Sequence, residues 1–130
     1  MKKTLLTLLL TFTLSGMVGQ STDPLYLWHD YVFEDLYIVS TIEVHPDLSY
    51  TRRIWSFEDQ KDWPTYKDIE PDIKNGRMDK KGSYYFMTED KDGKEELFES
   101  RIKLSKRRLL MYYPNENGLL VLQAIYKKIN

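Results

Sequence analysis

The sequence predicts an all-β fold, an antiparallel up-and-down meander of about six to eight strands that forms a small barrel or half-barrel. From Gly82 to Lys128, strand-like runs alternate with turn signals at Asp92-Gly93, at residues 105–108 and at residues 114–118. The chain is also rich in aromatic residues, with 10 Tyr, 5 Phe and 3 Trp, which suit strands. Between residues 98 and 104, apolar and charged side chains alternate, as on a strand with one buried face.

The two-residue turn at Asp92-Gly93 fixes a register for the hairpin around it. That register places apolar residues on one face and Glu99, Arg101 and Lys103 on the other, so a slip of one residue would bury the charges. The predicted cross-strand pairs are Met87–Phe98, Tyr85–Ser100 and Glu89–Glu96. The predicted inward side chains are Tyr85, Met87, Phe98, Ile102 and Leu104, followed in the last strand by Leu120, Leu122, Ala124 and Tyr126.

The first half of the domain is predicted as two strands with less regular flanks. Asp23-Pro24 resembles a helix start and predicts a short helical turn to Asp30. Leu36–Val44 and Ser49–Phe57 are predicted strands, with a type I turn at residues 45–48 and an open register. Glu58–Lys81 is predicted as a long polar connection with at most short helical turns, and as a lid over a binding site.

Residues 1–20 have the layout of a secretory signal peptide, which leaves a single domain at residues 21–130. Lys2 and Lys3 precede an apolar run from Leu5 to Leu14, and small residues follow it. The alternative is a retained N-terminal anchor helix, although the run is short for a membrane span. The expected location is therefore periplasmic or extracellular, with membrane contact only through the uncleaved signal peptide.

Composition and motifs argue against several classes of chemistry. The chain has no Cys, and removing Lys2 and Lys3 leaves 17 basic against 20 acidic residues, which disfavours nucleic acid as a partner. Two separated histidines, His29 and His45, do not supply the three or four ligands of a zinc site. Nucleophile elbows and phosphate-binding glycine loops are also missing from the sequence. We therefore expect no catalytic residues, no metal and no cofactor.

Two charged turns have alternative interpretations. The acidic tip at residues 89–96 could hold calcium, but it lacks the usual ligand spacing, so a solvated tip is favoured. The basic turn Lys106-Arg107-Arg108 could contact an anion or a membrane surface, although three charges on a turn are usually only solvated.

The number of aromatic side chains exceeds what one face of a small sheet needs. One interpretation is a thick core with tyrosine hydroxyls at its rim. The other is a barrel mouth or groove lined by aromatic rings, as in many small-molecule sites. The candidate ligand-binding residues are Trp55, Trp63, Tyr66, Tyr85 and Phe98.

Three sequence features resemble the small bacterial lipocalin-like (calycin-type) secreted proteins between Leu36 and Lys128. They are an Asp-containing turn before Tyr50-Thr51, the strand start Gly82-Ser83-Tyr84, and the run Ile102-x-Leu104-Ser105-x-x-x-Leu109. The turn at residues 44–50 lacks the family's glycine, and Trp28 is the one candidate for its opening tryptophan. The resemblance implies an up-and-down barrel that binds a small apolar ligand without catalysis.

The sequence therefore predicts an exported, non-catalytic binding protein that holds a small hydrophobic or aromatic ligand in a β-barrel. The alternative is a protein- or glycan-interaction module of the cell envelope that uses exposed aromatics such as Trp63 and Tyr66. An enzyme is a third possibility, with a carboxylate as its reactive group.

Overall fold

The computed structural model describes residues 22–130, which form a closed antiparallel barrel of eight strands in chain order. The strands are β1 (Leu25–Phe33), β2 (Leu36–Val44), β3 (Ser49–Phe57), β4 (Asp72–Lys81), β5 (Tyr84–Lys91), β6 (Lys94–Leu104), β7 (Arg108–Pro114) and β8 (Leu120–Lys128). A 3-10 helix, Gln60–Asp68, lies between β3 and β4. The prediction of an all-β up-and-down barrel is confirmed. The predicted signal peptide lies outside the described residues.

The barrel has two ends that differ in their connections. We call the end with connections 34–35, 58–71, 92–93 and 115–119 the upper end. The lower end carries connections 45–48, 82–83 and 105–107. The seam between β1 and β8 is paired only near the lower end, where Tyr26 lies opposite Lys128 and Leu27 opposite Lys127.

Alternate residues of the strands fill the barrel interior, as the pleat of a strand requires. Fully buried side chains from six strands, β2 to β7, meet there, and removing each from water contributes about 1.5–3 kcal/mol. Met87 and Ile102 are completely buried, and Tyr85, Phe98 and Leu104 pack against them, so the inward face predicted for this hairpin is confirmed. The buried members are Tyr26, Ile42, Val44, Tyr50, Met78, Met87, Ile102, Leu109, Ala124 and Tyr126.

The two strands predicted in the first half are confirmed with their bounds, as β2 and β3. The turn between them is closed by the Leu48 amide, which donates to the His45 carbonyl at 2.9 Å. The register that the sequence left open places Val39 opposite Trp55 and Val44 opposite Tyr50.

The predicted helical turn from Pro24 to Asp30 is wrong, because this segment is the first part of β1. Its residues pair with β2 from Leu25 opposite Glu43 onward. The Val44 amide also donates to the Pro24 carbonyl at 3.0 Å. Pairing with a neighbouring strand therefore outweighs the local Asp-Pro signal for a helix start.

The prediction that residues 58–81 form an irregular connection is half wrong. The 3-10 helix fits the expected short helical turns, but residues 72–81 form β4. Most of β4 is polar and faces solvent, and Met78 is its one buried residue. Asn75-Gly76 suggests a turn, yet Gly76 lies within the strand, where a Cβ atom would lie 2.2 Å from the Thr88 carbonyl oxygen. Close approach of β5 therefore explains this glycine.

The predicted hairpin register is correct near the turn and wrong farther from it. Pairing runs as predicted from Lys91–Lys94 to Thr88–Leu97 and includes Glu89 opposite Glu96. The register then shifts, so that Tyr85 lies opposite Ile102 and not Ser100. At the shift, three residues of β6, 98–100, lie opposite a single residue of β5, Met87. Because it adds an even number of residues, the apolar side chains still face inward.

A second register shift changes the predicted inward row of β8. Ala124 pairs with Met111, but Leu122 pairs with Tyr112, so one residue of β8 is left over. Ala124 and Tyr126 are buried as predicted, whereas Leu122 is 44% exposed. A one-residue bulge reverses the side on which the following residues point.

Candidate functional site

The five residues predicted from the sequence as a ligand site lie in two separate places. Trp55, Trp63 and Tyr66 belong to a cluster on the outer wall of the barrel. Tyr85 and Phe98 pack against the core inside it. The structure therefore does not bring the predicted residues together around one cavity.

The outer cluster forms because β2 and β3 present apolar side chains on both faces. Tyr37 and Val39 point away from the interior and are nonetheless buried, because the 3-10 helix covers them. Trp55 packs edge-on against Tyr66 at 4.8 Å between ring centroids, and its Nε1–H donates to the Ile69 carbonyl at 2.7 Å. The helix is thus fastened to the wall of the barrel and does not lie across its mouth.

His29 lies at the edge of this outer cluster. Its ring stacks on Trp63 at 3.8 Å, and its Nδ1 shares a hydrogen bond of 2.5 Å with the Tyr37 hydroxyl. Burial lowers the pKa of His29, with a smaller opposing effect from the charge of Asp30. These contacts give His29 a role in holding the helix to the wall.

Inside the barrel, one charged pair interrupts the apolar core. Arg52 on β3 forms two hydrogen bonds to Glu89 on β5, from Nε at 2.9 Å and from Nη2 at 2.7 Å. The Tyr50 hydroxyl donates to the same carboxylate at 2.8 Å. Glu89 is 4% exposed, so its charge depends on these partners for compensation.

The electrostatics of this network follow from its burial. Burial disfavours the charge on Arg52, but the hydrogen bonds and the charge of Glu89 outweigh it and raise the pKa of the guanidinium. Burial and then the charge of Glu89 raise the pKa of the Tyr50 hydroxyl, which therefore keeps its proton and donates. Gly76 makes room for the network, since a Cβ atom there would lie 2.7 Å from the Tyr50 hydroxyl oxygen.

Sequence reasoning did not identify this network. Glu89 looks like one of several carboxylates at a hairpin tip, and its two partners are 37 and 39 positions away. The one local signal is Arg52, a charge in the row of β3 that also holds Tyr50 and Ile54.

The charged pair forms part of the wall of a pocket toward the upper end, with a volume of about 200 Å³. Phe98 supplies its one aromatic wall, and the Arg52 guanidinium lies 5.7 Å from the centre of that ring. Three cations and three carboxylates balance each other around the pocket. Its lining residues are Arg52, Lys74, Glu89, Asp90, Lys91, Glu96 and Phe98.

Exposed apolar side chains also collect at the upper end. Within residues 22–130, ten of the eleven large hydrophobic residues that are exposed lie on connections or strand ends there, and Ile129 is the exception. Phe33 is 71% exposed, and Leu97 and Leu119 are each 65% exposed. The pocket and these apolar side chains therefore share one end of the molecule.

Asp23, Glu43 and His45 form the one group of three potential metal ligands among the described residues, with ligand atoms within 4.8 Å of one another. His45 Nδ1 is 2.8 Å from Asp23 Oδ2, and its Nε2 is 3.1 Å from the Thr51 hydroxyl. Glu43 accepts from Arg53 at 3.1 Å. The arrangement ties the start of the domain to β2 and β3, and the expectation of no metal stays a prediction.

The acidic hairpin tip contains ion pairs of its own. Glu95 pairs with Arg77 at 3.2 Å and Glu96 with Lys91 at 3.8 Å, while Glu89 points into the barrel. These pairs favour a solvated tip over a calcium loop.

Over the part of the chain that the structure describes, no helix has the length and apolar character needed to cross a membrane. Comparison with known proteins adds no relative, since no family model, curated protein or solved structure matches the chain.

Proposed function

We propose that this protein is an exported, non-catalytic binding protein that takes a small amphipathic molecule at the upper mouth of its barrel. The observation that carries the proposal is the pocket beside Arg52, Glu89 and Phe98. A ring for an apolar group and a buried charged pair for a polar group lie together there, so one amphipathic molecule can contact both. The resemblance to lipocalin-like proteins points to the same class of function.

The charges around the mouth narrow the class of ligand. The four upper connections hold nine carboxylates and two lysines, so the long-range field at this end is negative. The pocket itself is balanced, because Arg52 is already paired with Glu89. The ligand we propose is therefore neutral, zwitterionic or cationic, with a hydrophobic or aromatic part that lies against Phe98.

The proposal can be tested by titrating the domain with a neutral, a cationic and an anionic fluorescent naphthalene or dansyl dye. We expect the neutral or cationic dye to bind more tightly than the anionic one. Phe98→Ala should weaken binding about tenfold, the loss expected for about 1.4 kcal/mol of aromatic contact.

Phe86→Ala is the matched control, because Phe86 lies on β5 of the same hairpin but on the outer wall, under Arg101 and Lys81. It should leave dye binding unchanged. Absence of binding by every dye, or equal losses in the two variants, would refute the proposal.

A second candidate function is an interaction module for an envelope protein or glycan. The version based on Trp63 and Tyr66 has little support, because Tyr66 is buried and Trp63 is half-buried. If the protein is an interaction module, the exposed side chains of Phe33, Leu97 and Leu119 make the upper end its contact surface.

Co-sedimentation with purified cell-wall glycan separates the two functions. If the second candidate is correct, the wild-type domain sediments with the glycan. The double variant Phe33→Ser/Leu119→Ser should stay in the supernatant but should still bind the dye. If the wild-type protein stays in the supernatant, the hypothesis that the module binds a glycan is refuted.

A further inference from the structure

The charges of the domain are strongly segregated between the two ends of the barrel. Three segments that meet at the lower end, residues 80–83, 103–108 and 127–130, contain eight cations and no carboxylate side chain. The rest of residues 22–130 has nine cations against 20 carboxylates, a formal charge of −11. The near-neutral total therefore hides a basic region on one side of the lower end and an acidic remainder of the domain. The eight cations are Lys80, Lys81, Lys103, Lys106, Arg107, Arg108, Lys127 and Lys128.

These eight cations have no carboxylate partner within the described chain. All seven salt bridges between residues 22 and 130 use other cations. Arg108 and Lys127 even lie directly opposite each other on β7 and β8, and like charges in that position destabilise a sheet. The fold thus maintains a repulsive cluster, which an external anion would relieve.

The centre of the cluster is concave. Lys106, Arg107, Lys128 and Asn130 line a depression of about 440 Å³ between the β6–β7 turn and the end of β8. Its floor is held by hydrogen bonds, because the Lys128 amide donates to the Arg107 carbonyl at 2.8 Å and the Asn130 side chain bonds to Asp23 and Leu25. Three exposed cations around one depression suit a phosphate group.

The aromatic rings beside the cluster favour lipid headgroups over nucleic acid. Lys103 lies 4.9 Å from the centre of the Tyr84 ring, and Lys81 lies 5.4 Å from that of Phe86. Ring faces that carry the protein's own cations do not offer the open stacking surface that single-stranded nucleic acids use. Cations on turn tips at one end of a compact barrel instead reach a flat anionic surface together.

We propose that the lower end docks on a membrane surface that displays anionic phospholipid headgroups, with a headgroup phosphate between Lys106, Arg107 and Lys128. The remaining five cations add long-range attraction, and each cation near such a surface contributes about fivefold in affinity. The acidic upper end is repelled by the same surface. The barrel therefore stands with its mouth away from the membrane.

Vesicle flotation tests this proposal with the domain at residues 21–130. It should bind phosphatidylcholine vesicles that contain phosphatidylglycerol, should not bind phosphatidylcholine alone, and should be released by high salt. Changing Lys106, Arg107 and Lys128 to Glu should reduce binding by at least about a hundredfold, the product of about fivefold for each of three cations. The matched control changes three exposed lysines of the upper end to Glu: Lys61, Lys67 and Lys94. This control has the same net charge as the first triple variant, yet it should bind the vesicles like wild type.

Two further arms separate the lipid surface from other anions. Soluble glycerol phosphate should compete only weakly, because it engages the depression but not the neighbouring cations. A single-stranded oligonucleotide should bind less tightly than the anionic vesicles. Equal losses in the two triple variants, binding independent of phosphatidylglycerol, full competition by glycerol phosphate, or tighter binding of the oligonucleotide would each overturn the proposal. Circular dichroism of both variants verifies that they are folded.

Discussion

Replacing Arg52 by Met should be one of the most destabilising single changes in the barrel, although Met fills a similar volume. Arg52 supplies two of the three hydrogen bonds that the Glu89 carboxylate accepts, and the residue is 4% exposed. The variant leaves a buried charge with the Tyr50 hydroxyl as its remaining donor. Breaking a buried ion pair in this way costs about 3–5 kcal/mol.

Replacing the partner, Glu89, by Met should cost less than Arg52→Met, because the Arg52 side chain is more exposed than that of Glu89. The Arg52 side chain is 20% exposed, so after Glu89→Met it can turn toward the mouth and recover water. We expect a loss of about 1–3 kcal/mol for that variant. The double variant removes both charges but leaves the buried Tyr50 hydroxyl without its acceptor, so it should be about 1–3 kcal/mol less stable than wild type and clearly more stable than Arg52→Met.

Urea unfolding followed by tryptophan fluorescence measures these differences, since Trp28 and Trp55 report on the interior and on the outer wall. Arg77→Met is the matched control, because Arg77 and Glu95 form an ion pair in which the side chains are 48% and 54% exposed. That change should cost at most about 1 kcal/mol. An Arg52→Met variant no less stable than Arg77→Met, or a double variant as unstable as Arg52→Met, would refute this reasoning.

Three other predictions follow from close contacts and one shifted pKa. Gly76→Ala should lower the free energy of unfolding by at least about 2 kcal/mol, because the added Cβ atom meets the Thr88 carbonyl oxygen. Asn75→Ala, the neighbouring control, should lower it by under about 1 kcal/mol. Equal effects of the two changes in urea unfolding would contradict this reasoning. Trp55→Phe removes the hydrogen bond to Ile69 and should speed proteolysis at residues 58–71 with the barrel's circular dichroism unchanged; unaltered cleavage would argue against the fastening role. Because burial lowers the pKa of His29 in the folded protein, the unfolded chain takes up the proton first as the pH falls. Stability should therefore decrease over the pH interval that begins about one unit above the ordinary histidine pKa of about 6.5 and extends below it. His29→Gln should lose less stability over that interval, and a parallel decline of both proteins would contradict the assignment.

The parts of the fold that follow from local patterns are those that the sequence predicted correctly. β2 and β3 are rich in β-branched and aromatic residues, and the hairpin around Asp92-Gly93 has a strong turn signal with one apolar face. β4 has no clear sequence signal because its neighbours supply the burial: Met78 and Ile73 are its only large apolar residues, and Ile73 is exposed. The two register shifts have no local signature, since each depends on how adjacent strands curve around the barrel.

The candidate site was harder to predict than the fold because its parts are distant in sequence. A carboxylate at a charged hairpin tip is expected to face solvent, and only the pairing of β3, β4 and β5 brings Arg52 and Tyr50 to Glu89. The basic cluster is similar, because a three-residue turn is unremarkable until the ends of β4 and β8 lie beside it. The surplus of aromatic residues is visible in the sequence, but the 3-10 helix covers one wall of the barrel and so divides these rings between two cores.

The short pairing of β1 with β8 has a consequence for how the barrel folds and fluctuates. Every other strand pair joins neighbours in the chain, so the hairpins can form one after another with little loop-closure entropy. The last pair joins Tyr26 to Lys128, 102 positions apart, and its two ladder positions, with the bonds of Ile129 and Asn130 to Leu25, hold the seam at its lower end only. Closure of the seam should therefore be the final step of folding. In the native state, amide hydrogens of residues 28–33 that face β8 should exchange with deuterium faster than those of β2, and transient opening there would widen the mouth without unfolding any hairpin.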